Sequence, residues 1–281
     1  MELWFTEKHT PNTSLSFKVK EVLYSSHSKF QDIKVIETYD WGKVLLLDGL
    51  VMLTEKDEFI YHEMIVHPLL FTHPNPSRVL VIGGGDGGTI REVSRHKEVK
   101  VIELCEIDDE VIKVSKEFFP QLAHSFYDPR VKIHIEEGSK FLKHKNSIYD
   151  IIIVDSTDPT QVCESLYSEE FYHSLFESIK EDGMIVIQSE SIIITPQRVK
   201  DIYVKVRNIF PQIWLYLVPI PTYPGGIWSF TLASKRYSPL ENFNRKRWEN
   251  FPYSLKYFTP EVMRASFSLP PFVKKIIEEE K

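Results

Sequence analysis

The chain has 281 residues, 42% of them hydrophobic and 26% charged, with a formal net charge of −6. This is the composition of an ordinary globular protein, with room for one large domain or for one domain and a smaller appendage. It excludes a disulfide scaffold, since only Cys105 and Cys163 occur, and the acidic balance leans away from nucleic acid and towards cationic partners.

The opening segment MELWFTEKHT carries Glu2 and Glu7 and lacks an apolar run, so no signal peptide is expected. No stretch approaches the roughly 18 apolar residues of a membrane-spanning helix. With only two cysteines, a disulfide framework is not expected, and these features point to a reducing cytoplasm. Residues 1–58 read as a small antiparallel β domain. Leu15, Phe17 and Val19 alternate with polar residues, as do Ile33 and Val35, and turn signals stand at Tyr39-Asp40-Trp41-Gly42 and at Asp48-Gly49. A helix is expected from Glu58 to Leu70, stopping before Pro74 and Pro76.

The rhythm then changes, and residues 59–281 read as an α/β unit. VLVIGG (79–84), VIELCEID (101–108), VKIHIEE (131–137), IIIVD (151–155) and MIVIQSE (184–190) are short apolar runs suited to strands covered on both faces. Helical patterns fall between them: one through Arg91 and His96, one through Val111, Val114 and Phe118, and others near 139–144 and 168–180. This alternation predicts a doubly wound α/β domain. Two late strands, near 212–219 and 228–234, flank IPTYPGG and could close the sheet as an antiparallel pair.

The segment GGGDGG (83–88) follows a strand and precedes a helix, which is where a glycine loop binds a nucleotide. Glu106 ends the next strand, placed to accept two hydrogen bonds from a ribose diol. Asp86 inside the loop would repel a pyrophosphate, by about 4 kcal/mol at about 4 Å and an effective dielectric near 20. That disfavours a dinucleotide and favours a cationic nucleoside such as a sulfonium. The plainer alternative is that Asp86 caps the helix beginning near Thr89. Asp86, Glu106, Glu137, Asp155 and Asp158 all fall at carboxyl ends of strands, where such folds bind ligands. Five acids in one crevice call for cations, and no spacing typical of a metal site is evident, so organic cations are expected and no metal. Asp158 could also be an ordinary turn residue before Pro159.

The segments KFQDI (29–33), LDG (47–49), TEKDEFIYHEM (54–64), GGGDGGTIREV (83–93), CEID (105–108), DSTDP (155–159), ESLY (164–167) and IPTYPGG (220–226) resemble, in order, those of the polyamine aminopropyltransferases, in particular the spermidine synthases. The resemblance spans nearly the whole chain. It implies a small antiparallel β domain before a methyltransferase-like Rossmann domain, assembly into homodimers or homotetramers, and transfer of an aminopropyl group from decarboxylated S-adenosylmethionine, used as co-substrate without a permanently bound cofactor, to putrescine. It also implies roles. Gln31 and Glu106 would contact the nucleoside, Glu137 and Gly138 the adenine edge, and Asp86 the aminopropyl ammonium. Tyr61, His62, Asp158 and Tyr223 would line the amine channel, with Gln188 adding a polar contact, and Asp155 would accept the proton. Glu137 stands where the family usually has Asp, Met52 where many members have Gln, and Thr160-Gln161-Val162 replaces a usual x-Gly-Pro.

A protonated alkylamine has no lone pair, so the acceptor must lose a proton before it attacks the carbon beside the sulfonium. Asp155, behind an apolar strand, suits that task because burial raises a carboxyl pKa. The competing readings are an S-adenosylmethionine-dependent methyltransferase, transfer to agmatine or cadaverine, a non-catalytic nucleoside- or polyamine-binding module, and last a nicotinamide dehydrogenase. Asp86 speaks against a methyltransferase because an unmodified methionine carboxylate would be repelled. His9, His67 and His73 read as packing or surface residues.

Overall fold

Alternating apolar residues in the first 54 positions give the chain one face to bury at a time, and it does so as a five-stranded antiparallel sheet in sequential order. Its strands are β1 (Leu3–Thr10), β2 (Thr13–His27), β3 (Asp32–Thr38), β4 (Lys43–Leu47) and β5 (Leu50–Thr54). Asp48 and Gly49 both have positive φ, 49° and 78°, and join β4 to β5 as the two-residue turn that matches strand twist. The structure is a computed structural model that describes residues 2–157 and 164–278. Asp158, Thr160-Gln161-Val162 and Cys163 lie outside the described residues.

The second sheet contains β6 (Arg78–Gly83), β7 (Val101–Glu106), β8 (Val131–Ile135), β9 (Tyr149–Asp155), β10 (Ile179–Ser191), β11 (Gln212–Pro219) and β12 (Ile227–Ser234), in the spatial order β11-β12-β10-β9-β6-β7-β8. The five strands from β10 to β8 are parallel, and β11 and β12 close one edge as an antiparallel pair. The helices are α1 (Glu58–Leu70), α2 (Gly88–Ser94), α3 (Asp109–Phe118), α4 (Pro120–Ala123), α5 (Gly138–Leu142), α6 (Glu169–Ser178), α7 (Pro196–Arg207), α8 (Arg245–Glu249), α9 (Pro260–Ser266) and α10 (Pro271–Glu278). None is long and apolar enough to cross a membrane. The chain leaves β6 towards β7 and β8, then returns to place β9 on the other side of β6. Ligand crevices open at such a switch point. Here it is marked by Gly83 pairing with Asp155.

The two sheets share a core. Ile33, Val35, Leu45, Leu47 and Leu53 of the first pack against Val111 and Val114 of α3 and against Phe119 and Leu122. Helix α1 is buried on almost every side and lies over the large sheet. It runs through Pro68, which cannot donate to the Met64 carbonyl one turn back. The buried Tyr216 hydroxyl donates to that carbonyl instead, at 2.8 Å.

Several boundaries differ from the sequence expectation. The helix expected over 168–180 ends at Ser178, and β10 begins at Ile179, because Ile179 pairs with Tyr149 of β9. Strand β7 stops at Glu106, and Asp108 instead caps α3 by accepting from the Glu110 amide at 3.1 Å. Helices α7 and α10 have no counterpart in the sequence reading. They are stabilised by each other and by the sheet, through Val199, Leu215, Val273 and Ile277.

Buried Glu63 on α1 accepts from three consecutive amides of the C-terminal segment, Lys256, Tyr257 and Phe258, each at 2.8 Å. Glu63→Leu should strand those donors and lower unfolding stability by about 3 kcal/mol. Chemical denaturation checks this; an unchanged midpoint would show that the C-terminal segment is held elsewhere.

Candidate active site

The carboxyl ends of β6, β7 and β9, together with the first sheet, enclose one deep cleft. Gln31, Tyr61, His62, Asp86, Glu106, Glu137, Gly138, Asp155, Gln188 and Tyr223 all line it. Their closeness depends on small residues. Gly83 and Gly84 have φ of 79° and 72°, and a Cβ on them would lie 2.2 Å from the Asp155 carbonyl oxygen and 2.9 Å from Asp155 Oδ2. The loop therefore presses against the carboxylate that ends β9, as only glycine allows.

Asp155 sits between two donors. The Tyr61 hydroxyl donates to Oδ1 and the Thr89 hydroxyl to Oδ2, both at 2.6 Å. Burial, followed by the charge of Asp86, pushes the Asp155 carboxyl up, against the pull of His62, Thr89 and Tyr61. Asp86 Oδ1 accepts from the Gly88 amide at 2.6 Å, but the N-cap of α2 is Gly87, without a side-chain cap, so Asp86 is not the helix cap itself. The same oxygen lies 3.3 Å from His62 Nε2. Burial would raise the Asp86 carboxyl, but His62, the Gly88 amide and Arg91 together hold the group below its usual range.

His62 is buried and reaches Glu58 through Nδ1 at 2.7 Å. Burial alone would depress its pKa; Asp86 and Glu58 reverse this and carry it to about 10. At neutral pH it is an imidazolium. The acidic crevice thus contains a cation supplied by the chain itself, which the sequence reading assigned to ligands alone.

Glu106 Oε1 accepts from the Asp108 amide at 3.0 Å, and Gln31 Nε2 donates to Asp108 Oδ2 at 2.9 Å, linking the two expected nucleoside contacts through Asp108. Burial raises the Glu106 carboxyl to about 7 despite its amide donors. Glu137 pairs with Lys140 and accepts from Ser139, both at 2.6 Å, and these partners hold it down at about 2. A Cβ on Gly138 would lie 2.5 Å from Ile82 Cγ2, so this glycine lets α5 approach β6. Gln188 donates to the Tyr167 hydroxyl at 2.9 Å. The Tyr223 hydroxyl donates to the Met52 carbonyl at 2.6 Å, and its ring leans on Tyr61 and Trp228. Asp57 orients that loop by accepting from the Thr222 hydroxyl at 2.7 Å.

Sequence reasoning assigned no role to Thr89, Glu58, Arg91, Trp228 or Glu7. Thr89, Glu58 and Arg91 stand inside segments already singled out. Glu7 gave no local signal: it lies on β1, is 3% exposed and accepts from the Val51 amide, and it lines the cleft with Met52.

His62, Asp86 and Asp155 bring ligand-type atoms within 4.8 Å of one another. A metal would need neutral His62, whereas two carboxylates keep the ring charged. His73, Asp150 and Asp182 form a second such group at the opposite end of the sheet. There the Asn75 amide donates to His73 Nδ1, which leaves the proton on Nε2, and Lys180 already binds Asp150 at 2.7 Å.

Residues 58–245 match the spermine/spermidine synthase domain, and residues 3–55 match the spermidine synthase tetramerisation domain. The chain belongs to the spermine/spermidine synthase family. It is 46% identical to the polyamine aminopropyltransferase of Caldicellulosiruptor saccharolyticus over 99% of both chains, and 43% identical to that of Bacillus subtilis with the same coverage. Among solved structures it superposes on spermidine synthase in complex with the transition-state analogue AdoDATO with a TM-score of 0.96 and 42% identity. The alignment covers 98% of this chain and 94% of that one. Spermidine synthase from Thermotoga maritima superposes with a TM-score of 0.94, 43% identity and the same coverage.

The packing around His62 makes a testable demand. A Cβ on Gly88 would lie 2.3 Å from His62 Cε1. Alanine normally favours a helix over glycine by about 1 kcal/mol. Gly88→Ala should nevertheless lower the thermal midpoint, and a midpoint at or above the parent's would contradict this packing.

Proposed function

We propose that this protein transfers the aminopropyl group of decarboxylated S-adenosylmethionine to putrescine, giving spermidine and 5'-methylthioadenosine. The observation that carries the reading is the half-buried Asp155 carboxylate at the switch point, flanked by Asp86 and faced by Tyr61. The donor's nucleoside would lie between the glycine loop and Glu106, with its ribose diol donating to the Glu106 carboxylate and Glu137 and Gly138 at the adenine edge. Asp86 would hold the aminopropyl ammonium, whose charge a methionine carboxylate in S-adenosylmethionine would cancel.

The acceptor would lie along Tyr61, Tyr223 and Trp228, where aromatic faces attract an alkylammonium by roughly 0.5–2 kcal/mol. Gln188 lies beside this channel, and buried Glu7 offers a carboxylate from the first sheet. Asp155 would take the proton of the attacking amine, and its raised pKa makes it a better base than an exposed aspartate. The sulfonium leaves as a neutral thioether, so positioning and proton removal are what the chain must supply. Assembly through the first sheet into a homo-oligomer and a cytoplasmic site of action complete the proposal.

Competition of putrescine, agmatine and cadaverine for the decarboxylated donor, read by product mass, tests the acceptor. Putrescine should dominate, and a larger flux into another amine would reassign the substrate. Asp155→Asn should keep nucleoside binding and lower turnover by about 10²–10⁴; near-parent turnover in the folded variant would remove Asp155 as the base.

Glu106 gives a second test. Its pKa of about 7 means that a ribose diol, which favours the ionised form, must displace a proton on binding below neutrality. Methylthioadenosine should therefore bind about ten-fold more tightly at about pH 7.5 than at about pH 5.5. Glu106→Gln should flatten that dependence. A parent affinity independent of pH would dissociate Glu106 from the ribose.

A further inference from the structure

Beneath the cleft a chain of buried charges leads away from Asp155 and Asp86. His62 meets Asp86 through Nε2 at 3.3 Å and Glu58 through Nδ1 at 2.7 Å. A carboxylate on each ring nitrogen requires an N–H on each, which is the imidazolium form. Glu58 is in turn gripped by Arg91, whose Nη1 and Nη2 donate to its two oxygens at 2.9 Å each. Arg91 Nε donates to buried Glu92 at 2.7 Å. Neither Glu58 nor Arg91 lines the cleft.

We propose that Glu58, clamped by Arg91, is a positioning residue for the transfer step: by holding His62 as an imidazolium, it lets Asp86 and Asp155 stay ionised together at neutral pH. The inference rests on Asp155 acting as the proton acceptor. Ligand-type oxygens of the two aspartates lie within 4.8 Å of each other and of His62. Two carboxylates that close in a recessed cleft otherwise tend to share one proton, because their like charges are poorly screened. A shared proton would either occupy the base or silence the group facing the donor's ammonium. The charge of His62 removes that conflict only while Glu58 holds its far side.

The groups that face His62 come from three directions. Glu58 and the Tyr61 ring belong to its own helix, Asp86 to the glycine loop and Asp155 to β9, while Arg91 of α2 acts on it through Glu58 and Asp86. Geometry and electrostatics agree: the imidazole is held up at about 10, against the effect of burial, by Asp86 and Glu58. Glu58 itself is kept low by His62 and Arg91 despite its burial.

The test is the pH dependence of kcat/KM for putrescine in the parent and in Glu58→Gln, with the same amine in both so that substrate ionisation cancels. The acid limb of the variant should move up by about one pH unit or more, the usual effect of losing a neighbouring opposite charge. Activity should recover towards the parent's at higher pH, which a merely structural lesion would not do, and Glu58→Asp should restore part of the shift. In the parent, ¹⁵N spectra of the imidazoles, with His62 identified by its loss in His62→Gln, should show both nitrogens protonated at about pH 8. A neutral His62 there, or an unmoved acid limb in folded Glu58→Gln, overturns the inference. An Asp155→Asn variant that retains turnover would instead overturn the base assignment, so the two failures are distinct.

Discussion

Two half-buried aspartates this close at the end of one sheet repel each other and raise one another's pKa unless a positive charge lies against them. In this protein that charge is His62, and much of the local architecture serves to place it. Helix α1 carries it at the depth of the cleft, Gly88 leaves room for its ring, and Glu58 and Arg91 complete its environment. The polar residues of an otherwise apolar helix thus have separate partners. Glu58 and His62 adjoin the crevice, His67 pairs with His96 and Glu92, and Glu63 ties down the C-terminal segment through three amides.

The second organising feature is the switch point. Because β6 and β9 are neighbours while their continuations run to opposite sides, the glycine loop and the end of β9 meet without a covering strand. Parallel strands point their carboxyl ends the same way, so acids far apart in sequence converge. The first sheet then closes the cleft from above through β4 and β5, supplying an apolar wall and the buried carboxylate of Glu7. Its packing on α3, through Ile33, Leu45, Val111 and Val114, makes that wall part of the main body.

The graded acidities in the cleft follow from partners as well as depth. Glu106 is raised to about 7 because burial outweighs the backbone amides that face it, whereas half-buried Asp86 is lowered because an imidazolium and the Gly88 amide face it. Glu137, nearer the surface, is low through Lys140 and Ser139. Such separation lets one small cleft present carboxyls of different acidity together: Glu106 and Asp155 raised, Asp86 and Glu137 lowered.

The sequence by itself determined the fold class, the order of strands and the segments that meet at the cleft. These signals are local: apolar runs bounded by turns, a glycine loop between strand and helix, and acids directly after strands. The helix from Glu58 to Leu70 and the closing antiparallel pair were legible for the same reason. Only the tertiary structure decided the pairings. Glu58 and Arg91 are 33 residues apart and Tyr61 and Asp155 are 94 apart, so no periodicity could join them. It also decided that Pro68 can lie within a helix, because Tyr216 replaces the missing donor from a distant strand. Local pattern reports which residues are buried or turn. Which buried charges neutralise one another depends on packing between elements remote in the chain.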